Sequence, residues 1–300
     1  MMKKKEEEGD AAGVTTKNES AESLLAHELN KLTFRERESI NEEIHGIGVD
    51  TGAATDNVTP ETLSEYFRGL QAELDRLCST DGGVGGTAFA FQRSQNLYCG
   101  GSGGNQGTYL NSEDLRIMFL RCERFDVKKA AVRLCHFADL IYYLYGDTGL
   151  ERKAKLSDIS EDELEIMKSG RCQNLRARDR AGRRIYVHFY SEPWSYLPMK
   201  TRLRIVTYYA MSMLSDPSSQ RRGIVLLFWM HNFQIKVDRF ISAGTVHGRL
   251  ERSLPIRVGA AHYFLPSSDS YEQKGTFAVA KIISRVTHQF KPHTRLHWGM

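Results

Sequence analysis

Apolar positions recur along this chain with two different periods, and the change between them divides it. Before about residue 170 the spacing is helical. Leu24, Leu25, Leu29 and Leu32 keep three- and four-residue steps. Thr33 and Glu36 then have the spacing of a capping box, opening a second helical stretch through Ile47. In "TPETLSEYFRGLQAELDRL" Thr59 stands as N-cap and Pro60 at the first helical position, with Leu63, Phe67, Leu70, Leu74 and Leu77 on one stripe. "NSEDLRIMFLRCERFDVKKAAVRLCHFADLIYYLYG" reads as two helices broken at "RFD", the second capped by Asp126 and closed at Gly146. Ser160 and Glu163 form another capping box before a short helix ending at Gly170.

After Gly170 apolar runs become short and strand-like. "RCQNLRARDRAGRRIYVHFY" predicts a strand, a turn at "DRAG" and a second strand. A helix follows over Met199–Leu214, then the apolar strand "GIVLLFWM", then a helix over Val237–Leu250. "LPIRVGAAHYF", Leu254–Phe264, reads as a strand buried on both faces, because one charge alone interrupts an apolar run bounded by turn residues. A helix over Gln273–Phe290 and a last strand beginning at "RLHW" complete the series. Strands alternating with helices imply right-handed crossovers and a mainly parallel sheet, so the fold class is α/β behind a helical N-terminal region.

Composition marks the segments between. Residues 1–18 are polar and predict a disordered tail, with a helical N-terminal region over 19–78. Nine glycines fall in the 28 residues "TDGGVGGTAFAFQRSQNLYCGGSGGNQG", so 79–110 reads as a Gly-rich linker. It has neither the G-x-G-x-x-G spacing nor the G-K-[ST] of a phosphate-cradling loop.

Several function classes drop out. The longest apolar run, Ile224–Met230, has seven residues, against about 18 to 20 for a membrane span. "MMKKKEEEGD" lacks an apolar segment after its lysines, so no secretory signal is expected, and the sequons at Asn18 and Asn57 are expected to stay unglycosylated. Cysteines 78, 99, 122, 135 and 172 lack C-x-x-C spacing, which points to reduced thiols and a cytoplasmic protein. No G-x-S-x-G, H-E-x-x-H or other catalytic or metal signature is present, and His136 beside Cys135 sits on an amphipathic helix, so no enzyme, cofactor or metal is expected. Charge is segregated: residues 1–170 carry 20 basic against 30 acidic side chains, and 171–300 carry 21 against 7. The second half, at net +14, is suited to an anionic surface. That surface is lipid or nucleic acid, although nucleic acid would not explain the buried sheet; the competing reading is that the two halves partly neutralise each other in the fold.

Four segments resemble one family. "LRIMFLRCERFDVKKAAVRL" resembles the N-terminal helical signature of CRAL-TRIO proteins, "RDRAGRRIYVHF" their "D..GRPi.v" hairpin, "SQRRGIVLLFW" their "..GvvvifD" strand, and "RSLPIRVGAAHYFLPS" their "yPvRlk.iHiiNaP" segment. The matches keep the family's order from Asn111 to Met300. The resemblance divides that region into N-terminal-like helices (111–170) and a lipid-binding domain (171–300). It implies an α/β/α domain whose sheet floors a pocket for one hydrophobic ligand under a gate helix.

The gate position falls on Gln273–Phe290. On a helix Val279, Ile282, Ile283, Val286 and Phe290 share about 100° of arc. Lys281, Arg285 and His288, with Lys274, form the opposite side and the expected membrane contact. Such a helix can cover a cavity, lie on a membrane, or simply pack on a core. Tyr186, His188, Leu227, Trp229, Arg257, His262 and Phe264, with Val279, Ile283, Val286 and Phe290, are the candidate pocket residues; His231, Asn232 and Tyr263 belong to the same set. Core packing is the competing reading, because strand alternation sends about half of the strand residues to either face. Arg257, the single charge of its strand, needs a carboxylate or a lipid phosphate as partner. The arginines at 171, 176, 178, 180, 183 and 184 either form a wet turn or contact phosphate.

The resemblance has limits. Ile256 and Ser284 stand where members that handle phosphatidylinositol carry an acid and a lysine, and Trp229 replaces a common aspartate. The chain stops at Met300, where members continue, so the expectation is either a fragment or a pocket closed by less material. The expected function is to bind one lipid and transfer or present it at anionic membranes, associating with them peripherally. The alternative is a lipid-responsive regulatory module that meets a small GTPase or trafficking partner through the N-terminal helices.

Overall fold

A computed structural model describes residues 30–33, 36, 58–81, 86, 88–99, 108–230, 237–265 and 294–298. Within them Thr33 and Glu36 form the expected box: the Glu36 carboxylate accepts from the Thr33 amide at 2.8 Å, and the Thr33 hydroxyl accepts from the Glu36 amide at 3.3 Å. The helical layer consists of α1 (Pro60–Asp81), α2 (Phe89–Cys99), α3 (Glu113–Cys122), α4 (Val127–Tyr145), α5 (Asp147–Glu151) and α6 (Glu161–Lys168). Its caps are those read from the sequence. Asp126 accepts from the Lys129 amide, Gly146 ends α4 at φ +65°, and Ser160 with Glu163 closes both halves of a capping box.

The α2 helix departs from expectation. Inside the glycine-rich stretch, the apolar sequence "FAFQRSQNLYC" forms two to three turns, and Ala88, Ala90, Phe91 and Ser94 are buried. Eleven residues free of glycine supply enough apolar contact against the helical layer to outweigh the composition around them.

The α/β part follows with strands β1 (Cys172–Arg178) and β2 (Arg184–Phe189), helices α7 (Glu192–Tyr196), α8 (Met199–Met213) and α9 (Pro217–Arg222), then β3 (Ile224–Trp229), α10 (Val237–Ser253), β4 (Val258–Leu265) and β5 (Thr294–Trp298). These strands form an open five-stranded sheet in the order β1-β2-β3-β4-β5. The β1–β2 hairpin is antiparallel and the other pairs are parallel. The architecture is thus mixed α/β with a mostly parallel sheet.

β4 starts four residues later than the sequence suggests. The Leu254 amide still bonds to the Leu250 carbonyl as a continuation of α10, and Pro255 has no N–H to offer a ladder. Nor is β4 buried evenly: Ala260, Ala261 and Tyr263 are buried, whereas His262 and Phe264 are partly exposed. The helix expected over Gln273–Phe290 lies outside the described residues. Among those described, no helix is long and apolar enough to cross a membrane.

α8 carries buried side chains on two sides. Leu203, Ala210, Met211 and Leu214 join the helical core with Leu70, Phe119, Leu134 and Phe137, while Ile205 and Met213 join Tyr186, Trp194 and Ile224 on the sheet. Arg133 of α4 adds a polar tie. It pairs with Glu123 and donates to the carbonyl oxygens of Glu251 and Leu254, satisfying orphan acceptors at the C-terminal end of α10.

Gly223 joins α9 to β3 at φ +77°, where a Cβ would lie 2.6 Å from the Arg257 carbonyl oxygen. That same oxygen accepts from the Ile224 amide at 2.9 Å, the contact that opens the β3–β4 ladder. Gly223→Ala is expected to cost about 3 kcal/mol in urea unfolding. Gly146→Ala, at φ +65° with open space around the new methyl, should cost clearly less. Equal losses would mean that backbone strain alone, not the close approach, demands glycine at 223.

Candidate functional site

Parallel register sorts the strand side chains into two faces. Residues 188, 228 and 263 are register partners, and Tyr186, two before His188, shares their face. Phe228 stacks on Tyr263 with centroids 4.6 Å apart and meets His247 of α10 edge-on at 5.1 Å. The helices therefore lie over this face. Residues 189, 229, 264 and 297 occupy the other. There Trp229 stacks on Phe264 at 5.2 Å, Phe264 stacks on His297 at 4.7 Å, and a His262 ring nitrogen lies 2.9 Å from one of His297.

A cavity of about 80 Å³ opens on the helix-covered face. Its floor is Tyr186, His188, Leu226 and Phe228, and its roof includes Val206 and Ala210 of α8 with Val246 and Leu250 of α10. Ile224 and Val258 line the end where the parallel strands begin. His188, Tyr190, Trp194, Arg202 and His247 gather at the other end. Glu251 of α10 also lines the cavity, its carboxyl pushed up by burial. Ligands of open α/β sheets commonly sit toward the carboxyl ends of the strands.

His188 is the centre of this polar end. Its ring stacks on Tyr190 at 4.5 Å with 13° between planes, and the indole of Trp194 meets it edge-on at 4.6 Å. Burial, aided by nearby His247 and the Arg202 guanidinium, pushes its pKa down to about 3. Burial and Arg202 likewise push His247 down to about 4. Tyr186 is raised well above its usual value by burial and the adjacent Cys172, whose own thiol burial pushes to about 12. These groups are neutral at pH 7. They can exchange hydrogen bonds but supply neither a thiolate nor an imidazolium.

The expected pocket residues divide accordingly. Tyr186 and His188 line the cavity, whereas Leu227, Trp229, His262 and Phe264 lie on the opposite face, so one cavity does not gather all six. Arg257 precedes β4 and donates to the Arg221 carbonyl oxygen at 3.2 Å; it is not part of the lining. Of the hairpin arginines, Arg178 and Arg184 both reach Asp216, at 2.5 and 3.1 Å, and Arg183 is buried against Asp179 at 2.7 Å. Carboxylates already hold these three. Val279, Ile283, Val286, Phe290, Lys274, Lys281, Arg285, His288, His231 and Asn232 lie outside the described residues. Among those described, no three His, Cys, Asp or Glu side chains converge as a metal site requires.

The sequence reading missed the roof. Val206, Ala210 and Met213, and Val246, Leu250 and Leu254, are spaced by three and four on the two helices that flank β3. Those stripes were visible, but their partner surface was not.

The buried imidazole makes stability depend on pH. Unfolded, His188 titrates near 6.5; folded, near 3. Below pH 6.5 the unfolded chain therefore binds a proton that the folded chain refuses. The contribution is complete above 6.5 and is lost as pH falls, by about 2 kcal/mol at pH 5. In chemical unfolding at pH 7 and pH 5, His188→Phe is expected to lose about 2 kcal/mol less than the unmodified protein between the two conditions. Equal losses would place the protonation elsewhere. Known proteins do not assign the site: no family model matches the chain, and no curated protein matches it.

Proposed function

We propose that this protein holds a single hydrophobic ligand in the cavity between β2, β3, α8 and α10 and presents or transfers it at anionic membrane surfaces. The observation that carries the reading is the cavity itself, with mainly apolar walls and a few polar groups among them. Support also comes from the resemblance of four segments to CRAL-TRIO proteins and from the net +14 of residues 171–300.

Size sets a condition on this reading. About 80 Å³ accommodates a handful of waters, whereas sites for drug-sized ligands span about 300–1,000 Å³. An acyl chain therefore enters only as the roof moves away from the sheet, selecting a wider conformation. Each methylene buried is worth about 0.8 kcal/mol, which offsets the contacts given up when the roof lifts. A similar gain is available in a bilayer. Exchange between the two is then nearly balanced, and cationic docking on the membrane lowers the barrier by removing the aqueous step.

Native mass spectrometry of the purified protein, followed by organic extraction, tests this. One adduct of lipid mass per chain is expected, identified in the extract. Ala210→Trp, which puts an indole into the cavity from the last turn of α8, should remove the adduct while keeping the far-ultraviolet circular dichroism. A protein that carries no adduct and takes none up from anionic phospholipid vesicles would overturn the proposal. So would an adduct indifferent to Ala210→Trp.

A further inference from the structure

Two neutral side chains at the cavity's polar end each have an atom that the fold leaves unpaired. The Tyr186 hydroxyl and His188 Nε2 are fully buried and have no hydrogen-bond partner among the described residues. The residues themselves are 4% and 3% exposed. The Tyr186 hydroxyl rests against the Cys172 thiol, a weak acceptor that does not replace an oxygen or nitrogen partner. Both side chains lie on the cavity floor. Two residues apart on β2, they point the same way, with ring centroids 6.4 Å apart. Buried polar groups without partners are costly, and each one in a native fold calls for an explanation.

Resting on the cavity reading above, we infer that the ligand carries one uncharged oxygen-bearing head, a hydroxyl or carbonyl, held between the Tyr186 hydroxyl and His188 Nε2. A hydroxyl suits this pair best. It can accept from the tyrosine and donate to the ring nitrogen, or do the reverse, and so meets either imidazole tautomer. An anionic head is disfavoured. His188 is neutral at physiological pH, so it offers no counter-charge. The Arg202 guanidinium lines the same cavity and has interactions within the protein, although its Nε is buried without a hydrogen bond. A carboxylate or phosphate would have to draw Arg202 from its present interactions, in a cavity that the Glu251 carboxyl also lines. A pure hydrocarbon would leave both buried atoms bare.

Three ten-carbon probes separate these cases when titrated against the full-length protein by native mass spectrometry: 1-decanol, decanoate and n-decane. Decanol is expected to bind about tenfold more tightly than either of the others, the equivalent of about one net hydrogen bond. Tyr186→Phe should weaken decanol about tenfold and leave decane unchanged, which also reports that the cavity is intact. Equal binding of decanol and decane, or a Tyr186→Phe variant that binds decanol undiminished, would overturn the head-group assignment and leave the cavity reading standing. Decanoate as the tightest probe would overturn it in favour of an anion met by Arg202. Failure of all three to bind would sink the cavity reading itself.

Discussion

Burial of α8 on two sides is the constraint from which the rest of the architecture follows. A helix that carries Leu203, Ala210 and Leu214 into one cluster and Ile205 and Met213 into another must lie between two layers. The helical region before residue 170 is therefore not an appendage. It supplies the outer wall against which α8 is pressed, and the sheet supplies the inner one. Arg133 fastens α10 to the same helical layer through two backbone carbonyls. Both crossover helices are thus held from outside, and the gap between them and the sheet is where packing is incomplete.

The chemistry of that gap follows from its surroundings. Aromatic walls and exclusion of water make charge expensive, so the imidazoles of His188 and His247 stay neutral and the Tyr186 phenol and Cys172 thiol keep their protons. At neutral pH such groups exchange hydrogen bonds as neutral donors and acceptors. Positive charge elsewhere on the α/β part is spent differently: Arg178, Arg183 and Arg184 stabilise the hairpin and the start of α9 through Asp179 and Asp216. The net +14 already subtracts both aspartates, so these pairs leave the excess charge unchanged and only hold the three arginines in place.

Local signals were legible wherever a few neighbouring residues decide the outcome. Thr33, Asp126, Ser160 and Gly146 cap as their spacing indicates, because a cap is a bond to a backbone group two to four residues away. The strand cores "IVLLFW" and "RIYVHF" were equally plain. Where distant contact decides, the sequence was misleading or silent. Glycine content concealed α2, whose stability comes from the side chains it buries. Pro255 read as the start of a strand, although the backbone there is still leaving α10.

What the sequence determined by itself was the order of helices and strands, the parallel sheet that this order requires, and the apolar runs of β2, β3 and β4, whose side chains must alternate between two faces. Only the tertiary structure decided which phase of that alternation meets the helices. Tyr186 and His188 face the cavity, while Trp229, His262 and Phe264 face away. The physical reason is that neighbouring strand positions are chemically alike here, apolar or aromatic on both faces. Nothing local distinguishes inside from outside until register aligns the strands and α8 and α10 settle on one side.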